Sequence, residues 1–306
     1  MKGTVTRTDH ALGAALCIAY VAVLLWTAPD LGLARDESMY VAAAESYGRW
    51  ISMLMHEPAR ALTQASIDAH WSANHEHPAL VKTLFAVSAL VDRQLSVFSR
   101  YSLSFRFVGM LSAGLLLWLL HIFGTRLYDR RVGLFAALCY ALLPRPFYHA
   151  HLDAFDVPIT LAVTAVAYAY LRSLQERRYA HYTGLLFGLA LATKHNSWIL
   201  PGIFAIHFAW ITLLERLRRR HGAPPSVSLT PYALFAMPVY GPLVFVASWP
   251  WLWHDTLHRI GNYAAFHLHH DYYNMEYFGR NYFWPPFPSS YSWVMTLYTV
   301  PVTTLL

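Results

Sequence analysis

The sequence predicts an all-α polytopic membrane protein, and three observations carry that expectation. Of 306 residues, 56% are hydrophobic and only 13% charged, about half the charged share of an ordinary soluble domain. The apolar residues fall into long runs, and the basic residues collect in short clusters between them. Eleven Trp and twenty Tyr suit aromatic belts at the two membrane surfaces. The net charge of +6 follows the loop bias of membrane proteins rather than a phosphate-tracking stripe, so nucleic acid is not an expected partner. Cys17 and Cys139 both lie within apolar runs and imply neither a disulfide framework nor a zinc ribbon.

The first expected span is Ala11–Ala28, preceded by Lys2 and Arg7, which places the N-terminus inside. A cleaved leader ending near Gly32-Leu33-Ala34 is the competing reading; the many later spans favour a retained helix. Further spans are expected at Ser104–Gly124, Val132–Tyr148, Val157–Arg172, His181–Trp198, Leu200–Leu214, Pro231–Pro250 and from Tyr291 to the end. Arg126, Arg130 and Arg131 then share the cytoplasmic side with Arg172, Arg177 and Arg178, and with Arg216, Arg218, Arg219 and Arg220. The stretch 181–215 begins and ends beside such clusters, so it must cross twice or not at all; its length fits two short spans turning near Pro201 and Gly202. The outer side receives three segments: the loop 29–103, the connection 149–156 and the loop 251–290. In the first, ESMYVAAAESYGRWISMLM and LVKTLFAVSALVDRQL read as amphipathic helices lying in the interface. The whole chain 1–306 reads as one transmembrane domain. It stops inside an apolar run, so either the last helix is short or the chain is a piece of a longer protein.

Chemistry is expected on the outer side, where acidic residues gather. Carboxylates near a bilayer centre cost about 2.5–3.5 kcal/mol each. Asp36, in LARDES, and Asp156, in FDVPIT, both sit at helix starts, and two readings fit each. One is an N-cap; the other is a pair of acids facing a common cavity, serving as base and as anchor for a hydroxyl or metal. The connection RPFYHAHLDAFDVPIT also brings Arg145, His149, His151 and Asp153, and NHEHPALVK brings Glu76, His77 and Lys82. Lys82 can instead snorkel from its helix. Lys194, in LATKHNSW, lies near the outer end of a span, where a cation needs a partner. The stretch NYFWPPFPSSYSW reads as an aromatic belt or the lining of a groove.

These motifs resemble a known group. Arg35-Asp36-Glu37 resembles the Asp-Glu motif of protein O-mannosyltransferases; HPALVK is similar to their His-Pro-Pro-Leu-x-Lys segment; FDVPIT is similar to their Asp-x-Pro-Leu-Thr helix start. Lipid A aminoarabinose transferases share the arrangement, with Glu-Lys-Pro-Pro where this chain has Glu76-His77-Pro78-Ala79. The resemblance runs in order over roughly residues 10 to 215. It is to the polyprenyl-phosphate-dependent GT-C glycosyltransferases of glycosyltransferase family 39, and implies a GT-C-like transmembrane bundle. It also implies an inverting transfer of a hexosyl or pentosyl unit from a polyprenyl-phosphate sugar to a protein, lipid or glycan acceptor at the outer membrane face. The host membrane would be a bacterial inner membrane with the site facing the periplasm, or the ER membrane. On this reading Asp36 is the base, Glu37 orients the base or the acceptor or only stabilises the following helix, and Asp156 completes the catalytic acids. Lys82, Arg106 and Lys194 face the donor phosphate. Glu76, His77, Asp153 and His151 serve the substrate. In the aminoarabinose transferases a loop glutamate and a later histidine can hold zinc; the candidates here for a divalent metal are Glu76, His267 and Asp271. His77 and Ala79 depart from the aminoarabinose pattern and favour the mannosyltransferase one. A transporter using Lys194 and the boundary acids as an ion path is the rival reading. A non-catalytic lipid-binding subunit, with the acids as caps only, is another.

Overall fold

Helix α1 (Arg7–Thr27) begins with reciprocal capping: Asp9 N–H donates to the Thr6 hydroxyl, and Thr6 N–H donates to the Asp9 carboxylate. The same carboxylate takes Arg130 Nε at 2.6 Å, which pins α1 to the start of a later helix. These features come from a computed structural model that describes residues 3–221, 229–269 and 272–302. Within those residues the chain is built almost wholly of helices.

Past α1 the expected first outer loop folds as four helices: α2 (Glu37–His56), α3 (Pro58–Ala61), α4 (Gln64–Trp71) and α5 (Leu80–Leu95). Both long members are amphipathic. α2 buries Ala43, Ala44, Tyr47 and Trp50, and α5 buries Val81, Phe85, Ala86 and Ala89. Tyr47 stacks on Trp71 of α4 with ring centroids 4.0 Å apart. On its outer face α5 carries Leu84, Val87, Val91 and Leu95, all exposed. A helix with apolar residues on both sides and charges at its end suits the membrane interface.

Helix α6 (Tyr101–Leu127) returns along α1, then comes α7 (Arg130–Ala141). Small residues let these three approach closely: a Cβ on Gly114 would stand 2.8 Å from Cys17 Sγ, and one on Gly133 only 2.3 Å from the His121 carbonyl. The span expected at 132–148 is broken. Leu143 is extended (φ −74°, ψ 122°), and Pro144 opens a separate helix, α8 (Pro144–Ala150). Proline has no N–H to continue the ladder and pushes the residue before it out of the helical region.

Four further helices complete the bundle: α9 (Asp156–Ser173), α10 (Arg178–Thr193), α11 (Leu200–Arg220) and α12 (Tyr232–Ala247). The stretch 181–215 folds as two helices, α10 and α11, but the reversal between them falls at Lys194–Ile199, not at Pro201–Gly202. Lys194 is extended (φ −157°, ψ 142°) and a short 3-10 turn follows. Pro201 sits inside the first turn of α11, where a missing N–H costs nothing. Among the described residues three segments are long and apolar enough to cross a bilayer: α1, α6, and the 3-10 turn running into α11; α12 is apolar but shorter. The later loop holds α13 (Thr256–Leu268) and a hairpin of β1 (Met275–Tyr277) and β2 (Arg280–Tyr282), which turns through Phe278 and Gly279 at positive φ. The described part of the last expected span is α14 (Tyr291–Thr299).

Alternating helix directions give the bundle two chemically different ends. Arg126, Arg130, Arg172, Arg178 and Arg218 lie at the ends of helices on one side; Asp36, Asp153, Asp156 and Lys194 lie on the other. Gly133→Val forces a branched side chain against the α6 backbone. Overpacking of this kind costs about 1–3 kcal/mol, so thermal unfolding in detergent should show a midpoint several degrees below that of the wild type.

Candidate active site

The acid-rich end is organised around a buried ion pair. Glu37, the first residue of α2, is 1% exposed and Arg106 of α6 is 2% exposed. Arg106 Nε donates to Glu37 Oε1 and its Nη2 to Oε2, both at 2.8 Å. Of the three other guanidinium hydrogens, one on Nη1 goes to the Leu31 carbonyl (3.1 Å) and one on Nη2 to the Gly32 carbonyl (2.8 Å). Ala34 N–H donates to Glu37 Oε2 at 2.6 Å, and Asp153 N–H to Oε1 at 3.1 Å. Burial alone would raise the Glu37 carboxyl, but the hydrogen bonds led by Arg106 hold it at about 2. Asp153 goes the other way. Burial, with the Glu37 carboxylate beside it, pushes its carboxyl up to about 9, so it stands as a neutral acid next to an ionised one.

Asp36 is the preceding residue and is exposed. It occupies the N-cap position of α2 but makes no side-chain cap hydrogen bond. Instead it lines a cavity of about 180 Å³ together with Arg35, Tyr40, His149, Asp156 and Lys194. Asp156 also begins a helix without capping it. Lys194 Nζ donates to Asp156 Oδ1 at 2.9 Å, and His149 Nδ1 stands 3.8 Å from Oδ2. Asp156 and His149 are shared with a second cavity of about 440 Å³ that carries Arg145, Tyr140 and Thr160. The two cavities therefore meet across one acid and one histidine.

The loop after α4 closes the third side. Lys82 is fully buried and donates to Asn74 Oδ1 (3.0 Å), to the Asn74 carbonyl and to the His77 carbonyl (2.9 Å). It does not snorkel; it ties the loop into shape, and burial pushes its ammonium down to about 7. Glu76 accepts from Asn74 Nδ2 at 2.7 Å. His77 lies against Phe155, Tyr40 and His267, and burial with the Lys82 charge lowers it to about 4. Tyr40 is the common neighbour. Burial, then the charges of Asp36, Asp156, Glu76 and Asp153, push its phenol up to about 12.

Several expected roles are thus redistributed. Arg106, expected at the donor phosphate, has its donors taken by Glu37 and two carbonyls. Lys82 is likewise committed to its own loop. His151 is fully buried; its Nδ1–H donates to the Phe147 carbonyl and its Nε2 lies 2.8 Å from the Thr27 hydroxyl, so it clamps α8 to α1. For a metal the fit is poor. Among the described residues no three His, Cys, Asp or Glu side chains converge to hold one. His267 packs on His195 and His77, and Asp271 lies outside the described residues.

A family model described as dolichyl-phosphate-mannose-protein mannosyltransferase matches residues 77–244, more than half of the chain. The chain belongs to that family. It is accordingly an integral membrane glycosyltransferase of the GT-C class, of the mannosyltransferase type, using a sugar carried on a polyprenyl phosphate. No curated protein and no solved structure matches the chain. The segment matched to the mannosyltransferase family contains His77, Lys82, Arg106, Asp153, Asp156 and Lys194; Asp36 and Glu37 precede it and reach the site through the Arg106 pair.

Sequence reasoning passed over Tyr40 and the tie between outer loops made by Arg259 and Asp68 (2.7 Å). Tyr40 follows Asp36 by one helical turn, which is the signal that places both on one face. The Asp153 carboxyl has a pH signature. Its ordinary value of 3.8 is raised to about 9 in the fold, so between those values the folded state holds a proton that the unfolded state has lost. Stability contributed this way is full below 3.8 and falls as pH rises toward 9. Asp153→Asn cannot ionise, so its advantage in melting temperature over wild type should grow steadily from pH 5 to pH 9.

Proposed function

We propose that the protein transfers a mannosyl unit, with inversion, from a polyprenyl-phosphate donor to a hydroxyl of a protein acceptor on the extracytoplasmic side of the membrane. The observation that carries this reading is the meeting of two cavities at Asp156 and His149: one holds the unpaired Asp36 carboxylate, the other the Arg145 cation.

The two cavities suit the two substrates. The acceptor hydroxyl enters beside Asp36, which takes its proton as the oxygen attacks the anomeric carbon. The bond from that carbon to the phosphate oxygen breaks, and the electron pair leaves with the polyprenyl phosphate. Developing charge on the phosphate needs fixed cations. Lys194, held by Asp156 through one of its three N–H bonds, keeps two for this purpose, and Arg145 faces it from the second cavity. A single displacement of this kind inverts the anomeric centre. The arginine-rich end faces the cytoplasm by the positive-inside bias, which turns the acid-rich end to the periplasm or the ER lumen. The Glu37–Arg106 pair and Asp153 are a scaffold beneath Asp36.

Reconstitution in vesicles with polyprenyl-phosphate mannose and a Ser/Thr-containing acceptor peptide tests the reading. Asp36→Asn should lower release of polyprenyl phosphate by about 10²–10⁴-fold with binding of the donor retained. Turnover within threefold of wild type would remove Asp36 as the base.

A further inference from the structure

At the arginine-rich end, far from the acids, a cavity of about 630 Å³ opens between α1, α6, α9 and α10. Its two ends differ in chemistry. On α6 one face runs from Leu115 through Trp118, Leu119 and Ile122 to Arg126, a path of about 16 Å at 1.5 Å per residue. On α9 the matching face runs from Leu161 through Tyr168 to Arg172. Both helices point the same way, so the two arginines form the mouth and the aliphatic residues the floor.

The mouth carries more positive charge than its partners neutralise. Arg172 donates to Glu176 Oε1 through Nε (3.1 Å) and Nη2, donates to the Tyr168 hydroxyl through Nη1 (3.0 Å), and lies 4.2 Å over the Tyr179 ring. Arg178 Nη2 takes the other Glu176 oxygen at 2.9 Å. Arg126 reaches Glu176 only at 3.9 Å and donates to the Gly3 carbonyl at 3.3 Å; its Nε is buried without a hydrogen-bond partner. Three guanidinium groups thus share one carboxylate. Two further acids lie at this end: Asp9 is taken by Arg130, and Asp129 caps α7 by accepting from the Val132 N–H.

A cationic mouth at a membrane boundary above an apolar floor has the polarity of an anionic amphiphile. We propose that this cavity is a binding site for a phospholipid with a net negative headgroup, drawn from the leaflet at the arginine-rich end. The phosphate sits against Arg126 and Arg172, and an acyl chain lies along Trp118, Leu119 and Leu161. The assignment is independent of the transfer reaction and of where the acceptor enters.

Trp118 gives a direct probe, because bromine on an acyl chain quenches indole fluorescence by contact. The full chain is placed in phosphatidylcholine vesicles containing a small fraction of brominated phosphatidylglycerol or brominated phosphatidylcholine. The Trp118 signal is taken as wild type minus Trp118→Phe. Half-quenching should need about fivefold less of the anionic lipid, the gain expected from one uncompensated arginine near the surface. Arg126→Gln should abolish that preference, and Glu176→Gln should strengthen it by removing the competing carboxylate. Equal quenching by the two lipids overturns the proposal, as does a weakened preference in Glu176→Gln. Relief of the quenching by unlabelled polyprenyl phosphate at lower mole fraction than phosphatidylglycerol overturns the choice of occupant.

Discussion

The buried pair of Glu37 and Arg106 is the contact on which the candidate site depends. Two charges removed from water are tolerated only with close geometry and a full set of hydrogen bonds. Here four atoms of the pair bond each other, and the Leu31 and Gly32 carbonyls and the Ala34 and Asp153 amides add four more bonds. Those groups come from the exit of α1, the start of α2, the middle of the first turns of α6 and the approach to α9. One interaction therefore fixes four pieces of chain against each other. It also aims Asp36. Neighbouring residues in a helical turn point about 100° apart, so burying Glu37 leaves the residue before it turned toward the cavity.

The acids collected around this pair are held in different electrical states by their surroundings. Glu37 keeps its charge because Arg106 outweighs the loss of water. Asp153, whose backbone N–H donates to the same carboxylate, is buried without a cation of its own and stays neutral. Asp156 is paired with Lys194, and Asp36 is exposed. Crowding four ionised acids would be prohibitive at low dielectric. Neutralising one, pairing two and leaving one accessible makes the cluster possible, and it leaves a single unpaired carboxylate facing the space where an acceptor hydroxyl would sit.

The opposite end follows the same electrostatics with the sign reversed. Glu176 is surrounded by Arg172, Arg178 and Arg126, and Asp9 by Arg130 and the buried His121. Each end of the bundle therefore holds a minority of the opposite charge as a tie between helices. What differs is the excess, cationic at one end and acidic at the other, and that excess gives the molecule an orientation in a membrane.

Much of this was legible in the chain. Long apolar runs can only be helices where no water satisfies the backbone, so the helices fell near their expected places. The amphipathic character of α2 and α5, and the division of 181–215 into two helices, follow from local periodicity and charge. Asp36 and Asp156 stood out because carboxylates at a membrane boundary are costly. What could not be read was the partner each charge would find. Arg106 and Lys82 look like phosphate ligands by type, yet Arg106 meets an acid 69 positions earlier and Lys82 meets its own loop. Where a span breaks, at Leu143, or reverses, at Lys194, is likewise settled by packing against neighbours. Composition and period act through near neighbours in the chain and so determine element type and membrane class. Whether a cation is buried against an acid or open to a cavity depends on contacts between distant segments, and only the tertiary structure decides those.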